Sequence, residues 1–406
     1  MRAVGWIVVL FALSARGTGA ARADDFSFQG YVDVRLVAPP NEESWLGGGL
    51  GKLRFGSQGG GPTGRFAEAV GQADWRATPY LTTVVVLRAE PDQRTGVDAL
   101  EAYARLHPQP VGDWQYSLKA GVFFPPISLE NNDLGWTSPY TLTPSAIDSW
   151  VGDELRTIGT EARLEWHTGL GTLAALGAAF CCNDPAGVLM AERGWSLDDR
   201  PTGYFETLHE PNISLELVGH SAPDRAPIFI EIDNRSGFYG GGTWDVAGLG
   251  HAQFLYYDNQ GDPAAHDQDY DAWHTRFWSG GVSTRIADVA FLAQALRGST
   301  DTEEHPPYLW TTQFWSAYGL ASYDLGDWRL SARADLFGTG ENEAFWQAFG
   351  EHGRAATAAV SWMPKDWLRL TAEFVGLNAQ RLERVAAGLS KNEADDQFQL
   401  SLRASI

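Results

Sequence analysis

The sequence predicts an all-β fold: a transmembrane antiparallel β-barrel of about 16 strands with long external loops. The first observation is that tryptophans lie beside short turns rich in proline, glycine and aspartate, on the apolar phase of alternating segments. Amphipathic rings in that position are typical of the aromatic belt at a membrane surface. The second is that apolar and polar residues alternate over segments of about 10 residues, the strand pattern of such barrels. The tryptophans are Trp75, Trp114, Trp166, Trp328 and Trp362.

Residues 1–23 have the pattern of a secretory signal peptide. Arg2 precedes the apolar run from Trp6 to Leu13, and Ala21 to Ala23 supplies a small-x-small cleavage site. No later apolar run reaches the about 20 residues that a membrane-spanning helix needs. We therefore expect export through the Sec pathway and a single barrel domain over residues 24–406.

The alternation is clearest near the C-terminus, where Phe398, Leu400 and Leu402 alternate with polar residues. An outer-membrane barrel joins its strands by short periplasmic turns and longer external loops in strict alternation. This rule gives 16 strands, an even number that places both termini on the periplasmic side. Counts of 14 or 18 stay open, because residues 50–57 and 212–220 could also pair. The strands are 26–37, 66–77, 79–90, 97–107, 113–124, 154–168, 171–182, 228–243, 249–259, 271–286, 288–298, 311–325, 327–338, 353–363, 366–380 and 395–406.

The external loops are unequal in length. The second, 91–96, is short, whereas the third, 125–153, and the fourth, 183–227, are long enough to indicate a function of their own. The third loop contains several acids and neither lysine nor arginine.

Charged residues on the polar phase of the strands are predicted to line the barrel lumen. We expect loop 125–153 to fold inward and face this basic wall, leaving a narrow charged constriction that orients polar solutes. The alternative is that the loop lies outside as a lid and the lumen charges pair among themselves. The predicted pore-lining and constriction residues are Arg35, Arg76, Arg88, Arg105, Lys119, Glu130, Asp133, Asp148, Arg163, Arg333 and Arg369.

Composition limits the other functions. The net charge of −21 argues against nucleic acid as a partner, since binding it needs a basic surface. The chain has no GxSxG motif, and its histidines lack a serine and carboxylate at a spacing that proposes a triad, so we expect no catalytic residues and no enzyme. No cofactor is expected.

Two features suggest metal chemistry only weakly. One is an acidic triple, Asp267, Asp269 and Asp271, which lacks the glycine and glutamate of a calcium-binding loop. We interpret it as a solvated loop; the weaker alternative is that it binds divalent cations that bridge to lipopolysaccharide. Cys181 and Cys182 are adjacent, so they cannot join distant segments; two small residues at a strand end is the favoured reading and a vicinal disulfide the alternative. We therefore expect no metal site.

Two stretches resemble a known family. The run from Lys119 to Pro126 (KAGVFFPP), followed by Ser128 to Asn131, is similar to the entry from the fifth strand into the third loop of Gram-negative outer-membrane porins, most closely the phosphate-selective porin O/P-like group. The closing block from Gly353 to Ile406 is also similar. The resemblance implies a 16-stranded channel and a homotrimer. The chain departs from the family pattern in two ways: it ends in Ile406, and its third loop has no lysine or arginine. We therefore do not infer anion selectivity from the resemblance.

The favoured function is a porin of the bacterial outer membrane that lets small hydrophilic solutes or ions diffuse passively past loop 125–153, with a weak preference for cations or neutral solutes. Its other partners would be outer-membrane lipid and lipopolysaccharide. A closed barrel with a structural or adhesive role through loops 125–153 and 183–227 is the first alternative. A secreted, tryptophan-rich, carbohydrate-binding β-sandwich is the second.

Overall fold

The computed structural model describes residues 25–56, 61–210, 225–267, 270–305, 308–341 and 350–406. The predicted signal peptide, residues 1–23, lies outside this part of the chain. Among the described residues, no helix is both long and apolar enough to cross a membrane.

Sixteen antiparallel strands close into a barrel, as predicted. Each pairs with the next barrel strand along the chain, and the last strand pairs with the first, with Arg403 opposite Asp33. The barrel strands are β1 (Phe26–Ala38), β2 (Thr63–Thr78), β3 (Leu81–Ala89), β4 (Asp98–Leu106), β5 (Trp114–Phe123), β6 (Thr157–Thr168), β7 (Gly171–Cys181), β10 (Gly237–Val246), β11 (Gly250–Asp258), β14 (His274–Ile286), β15 (Val289–His305), β16 (Tyr308–Leu325), β17 (Trp328–Glu341), β18 (His352–Lys365), β19 (Leu368–Gln380) and β20 (Asn392–Ser405).

The remaining elements are short and belong to the loops. Helices α1 (Ala146–Glu154) and α2 (Val188–Glu192) lie in the third and fourth loops, and single 3-10 turns cover Trp45–Gly47 and Leu382–Val385. Two small sheets pair β8 (Thr207–His209) with β9 (Arg225–Pro227), and β12 (His266–Asp267) with β13 (Tyr270–Asp271).

Strand alternation sorts side chains to the two sides of the wall. In β20, Gln397 and Gln399 are 1% exposed whereas Phe398 and Leu400 are 42% exposed, because successive side chains of a strand point to opposite faces. The exposed face carries mainly apolar residues along most strands, as a lipid-facing wall requires. The β-sandwich alternative is therefore wrong.

The tryptophan belt is confirmed at the end of the barrel where the short turns lie, here called the turn end. Trp114 and Trp166 are cross-strand partners whose rings stack 5.7 Å apart, and Trp328 and Trp362 form the same arrangement at 5.9 Å. All four are outward and at least 39% exposed. Near the opposite, loop end, Trp278 is 52% exposed within a second group of outward aromatic rings.

Several strand boundaries differ from expectation by a few residues, and those of β10 and β15 differ most; the strand predicted over 288–298 covers Val289–His305. The strand predicted over 228–243 begins only at Gly237, because residues 228–233 belong to the fourth loop, where the Ile232 and Asp233 amides donate to Asp184. Residues 50–56 add no barrel strand; Leu53 instead forms an isolated bridge with Leu197. The other candidate, 212–220, lies outside the described residues.

Candidate functional site: the barrel interior

The third loop lies inside the barrel and bonds to its inner wall. The Ile127 carbonyl accepts from the side-chain amides of Gln253 on β11 and Gln294 on β15, the latter at 2.8 Å. The loop then forms α1, which begins because the Ser145 hydroxyl accepts from the Asp148 amide at 3.3 Å, an N-cap bond. Every residue of α1 is buried. This is unusual, because loops normally lie on the protein surface.

Arg333 on β17 is the main ionic anchor of this loop. Its guanidinium donates to the carbonyls of Thr143 and Pro144 at 2.7 and 2.8 Å and lies 3.3 Å from Glu130. It also pairs with Asp335 on its own strand at 2.8 Å. One side chain of the wall therefore fixes both arms of the loop, and both charges of the Arg333–Glu130 pair are fully buried.

Further contacts hold the loop to the neighbouring strands. The Glu373 carboxylate on β19 accepts from the Leu142 and Thr143 amides, at 2.5 and 2.9 Å. Nearer the turn end, Arg369 lies 3.5 Å from Asp133. The loop is thus tied to one arc of the wall by both neutral and ionic contacts.

A second set of buried charges joins the first and fourth loops to the adjoining arc of the wall, at β1 and the end of β3. Asp199 of the fourth loop lies 2.5 Å from Arg35 on β1 and 3.0 Å from Arg54 of the first loop. Arg54 also pairs with Glu90 at 2.9 Å, and Glu90 in turn pairs with Arg200. Sequence reasoning missed Arg54, Asp199 and Arg200; the adjacent charges at 198–200 were the only signal, and a solvated loop gives the same signal.

An aromatic cluster fills the middle of the interior. Trp150 of α1 is fully buried, with its ring 5.3 Å from Phe277, 5.0 Å from Phe314 and 5.9 Å from Trp195. The Trp195 indole donates to the Gly338 carbonyl at 3.1 Å. The prediction that the lumen-facing phase is polar is therefore wrong for this part of the wall, where inward aromatic rings pack against two loop tryptophans.

A wide cavity of about 320 Å³ opens at the turn end. Tyr31, Asp133, Leu134, Thr137, Arg369 and Arg403 are among its lining residues. We call this space the vestibule.

Other basic side chains project inward from β2, β4, β5 and β6 near the same end. Arg76 and Arg105 are exposed. Lys119 lies 3.2 Å from Glu161, and Arg163 lies 2.7 Å from Glu165. This arc is more open than the middle of the barrel.

The predicted site residues thus separate into groups. Glu130 meets Arg333 and Asp133 meets Arg369, whereas Arg35 contacts the fourth loop rather than the third. Arg88 is buried with its nearest acid, Glu90, 3.8 Å away. The other predicted bases, Arg76, Arg105, Lys119 and Arg163, form the open arc near the turn end.

Asp148 does not face the basic wall. Burial and the neighbouring Glu130 raise the pKa of its carboxyl well above the ordinary range. It therefore acts within the loop, next to Ser145, as a buried hydrogen-bonding group.

The two cysteines form a disulfide, Cys181–Cys182. The favoured sequence interpretation, two independent small residues, is wrong, and the alternative of a vicinal disulfide is observed. Of the acidic triple, Asp267 and Asp271 lie in the exposed β12–β13 hairpin, and Asp269 falls outside the described residues.

Replacing Asp199 with asparagine tests the second charge cluster. Burial alone would raise the pKa of the Asp199 carboxyl, but Arg35 and Arg54 outweigh it and hold that pKa well below its ordinary value of about 3.9. The lowered pKa stabilises the folded protein above pH ~4, and this stabilisation is lost as the pH falls below ~4. We expect Asp199→Asn to lower the free energy of unfolding by about 2 kcal/mol at pH 7.

The measurement is unfolding in urea as a function of pH. The difference between native protein and variant should stay constant from pH 7 to 5 and shrink as the pH falls below ~4. A difference that is the same at every pH would contradict the ionic role of Asp199.

No protein-family model and no curated relative matches the chain. Solved structures match over nearly its whole length. The outer membrane channel DcaP of Acinetobacter baumannii is 11% identical with a TM-score of 0.59, covering 96% of this chain and 99% of that chain. OmpF of Salmonella typhi is 10% identical with a TM-score of 0.55, covering 95% and 100%. OmpT, an outer membrane protein of Vibrio cholerae, is 10% identical with a TM-score of 0.52, covering 94% and 97%; another of its structures is a trimer form.

These likenesses show the fold, that of outer-membrane porin barrels. They do not confirm the narrower resemblance to the phosphate-selective porin O/P-like group. They also correct one prediction: the chain was expected not to be an enzyme, but several neighbours are OmpT structures, described as an outer membrane protein and not as a channel. That finding overturns the expectation that the chain is not an enzyme.

Proposed function

We propose that the protein is an outer-membrane porin, a passive diffusion channel for small hydrophilic solutes or ions that is constricted by loop 125–153. The observation that carries this proposal is the buried third loop, bonded through Glu130 and Asp133 to Arg333 and Arg369 of a closed barrel wall. Fixed charges of both signs in a narrow space orient polar solutes and disfavour apolar ones.

The same proposal covers location and partners. The apolar outer wall and the aromatic belts fit outer-membrane lipid, with the loop end facing lipopolysaccharide and the turn end facing the periplasm. Export through the Sec pathway would remove residues 1–23 and leave 24–406 as the barrel domain. A homotrimer and kinship with the phosphate-selective porin O/P-like group belong to the proposal; the first is supported by the trimer form of OmpT, the second by the run from Lys119 to Pro126.

A closed barrel with a structural or adhesive role is the second candidate. It is favoured by the dense filling of the loop half, where all residues of 183–203 are buried along with those of α1. Single-channel recording in a planar bilayer separates the two. The porin should conduct when intact, and deletion of residues 130–148 should raise its conductance. An intact protein that does not conduct, with conduction only after the deletion, would show a plug and support the closed barrel.

Neutralising two charges of the open arc near the turn end tests the channel and its selectivity. Arg76 and Arg105 project inward and are exposed, so the double change Arg76→Gln and Arg105→Gln should remove two positive charges from the solute path. We expect the reversal potential in a salt gradient to shift toward cation selectivity, from the weak cation or neutral preference proposed for the native channel.

Arg354→Gln is the matched control. Arg354 is exposed and pairs across strands with Leu336, on the outward face of the wall. Its replacement should leave the reversal potential unchanged. An equal shift in the control, or none in the double variant, would exclude a path along this arc.

A further inference from the structure

Cys181 is the last residue of β7 and Cys182 the first of the fourth loop, at the loop end of the barrel. Both are partly exposed, and Cys182 has a φ of 67°, in the left-handed region that residues with a side chain seldom adopt. Because they are adjacent, their disulfide cross-links no separate parts of the fold. The disulfide therefore does not stabilise the fold by cross-linking it, and both sulfurs are accessible to reagents from solvent.

A carboxylate lies beside the two sulfurs. The Cys182 amide donates to Oε2 of Glu231 at 3.1 Å, which fixes the carboxylate against the pair. The other oxygen, Oε1, is buried and has no hydrogen-bond partner among the described residues. The two Sγ atoms and a Glu231 oxygen all lie within 4.8 Å of one another, close enough to bind one ion.

The surrounding loop holds Glu231 in place. Asp184 accepts from the Ile232 amide and, at 3.1 Å, from the Asp233 amide, while the Asp184 amide donates to the Ile230 carbonyl at 3.3 Å. Asp184, two residues after Cys182, thus binds the backbone on both sides of Glu231. The three candidate ligands are positioned by backbone contacts and not by the disulfide alone.

Electrostatics favour a cation at this point. Carboxylate oxygens of Asp184, Glu231 and Asp233 lie within 4.8 Å of one another. The nearby cation Arg235 pairs with Asp262 at 2.5 Å instead of neutralising this group.

We propose that the reduced Cys181–Cys182 pair and Glu231 form a site for a soft divalent cation of the cadmium or zinc class, closed in the oxidised protein and opened by reduction. A dithiol reductant breaks the S–S bond and gives the pair two electrons and two protons, while the reductant becomes its own disulfide. The cation then displaces the two thiol protons and binds both thiolates and the Glu231 carboxylate. Thiolate sulfur favours these metals, and three protein ligands leave a fourth tetrahedral position for water.

The test uses the full-length protein in detergent, with Cd²⁺ alone as the probe. Protein reduced with dithiothreitol and freed of reductant without air is titrated, following the ultraviolet thiolate-to-cadmium charge-transfer absorption. We expect one Cd²⁺ per chain in the reduced protein and none in the oxidised protein. Cys182→Ser should abolish the absorption, and because the pair joins no distant segments, the variant should fold as the native barrel.

Glu231→Gln separates the proposed three-ligand site from an ordinary dithiol. It should weaken Cd²⁺ binding about tenfold, a loss of ~1.4 kcal/mol. The matched control is Asp267→Asn, an exposed loop carboxylate of the β12–β13 hairpin outside the ligand group, which should leave the affinity unchanged. Equal binding by oxidised and reduced protein, no binding after reduction, or native affinity in Glu231→Gln would each overturn the proposal.

Discussion

Replacing Arg333 with methionine is expected to lower the free energy of unfolding by about 3–5 kcal/mol, the range for removing one partner of a buried ion pair. The change leaves the carboxylates of Glu130 and Asp335 buried without their cation, and it removes the donors to the Thr143 and Pro144 carbonyls. Methionine keeps most of the side-chain length, so the loss arises from charge and hydrogen bonding more than from packing.

The same variant should affect conduction. The third loop loses its main anchor, and the proposed channel should show a higher and more variable single-channel conductance. Arg285→Met is the control, because Arg285 pairs with Asp324 while half exposed and its loss should cost less than ~1 kcal/mol. Equal destabilisation by the two changes would contradict the role of Arg333 as the buried anchor.

Replacing Trp150 with alanine is the second change with a large expected effect, about 3–5 kcal/mol of unfolding free energy. The fully buried ring contacts Trp195, Phe277 and Phe314, so truncation opens a cavity between α1 and the wall. It also removes the indole donor to Glu154, whose carboxylate accepts from the Gly187 and Leu189 amides at the start of α2. Urea unfolding in detergent measures the loss.

Trp150→Phe separates packing from the hydrogen bond to Glu154. It keeps an aromatic ring in the cluster and should cost only about 1–2 kcal/mol. If the alanine and phenylalanine variants unfold at the same urea concentration, the ring packing is not what stabilises α1. The expected order is native, then Trp150→Phe, then Trp150→Ala.

Much of the barrel was predictable because its signals are local. A strand that faces lipid on one side must alternate, and a tight turn needs particular residues, such as Gly326 with a φ of 59° beside Asp327. The strand count and the turn-end tryptophans, including the pairs Trp114–Trp166 and Trp328–Trp362, follow from these patterns. The largest differences are at β15, which continues to His305, and at β10, where loop residues before Gly237 fit the alternation and were predicted as strand.

The interior was predictable only in part. The sequence indicated acids in the third loop and bases on the wall, but not which would meet; the structure pairs Glu130 with Arg333 and Asp133 with Arg369. The role of Asp199 was not readable, because an aspartate in a long loop has the same sequence pattern whether it is solvated or buried between two arginines. Asp148 was misplaced for the same reason.

Residue order thus determines the barrel, its strand number and the side of the wall that each strand residue faces, since every second residue must suit the solvent it meets. Only the tertiary structure decides how the interior is filled. Trp150 and Trp195 come from different loops, and Glu231 reaches the cysteine pair from 49 residues away along the chain. Contacts of this kind depend on where the closed barrel brings its loops, and no local pattern encodes that.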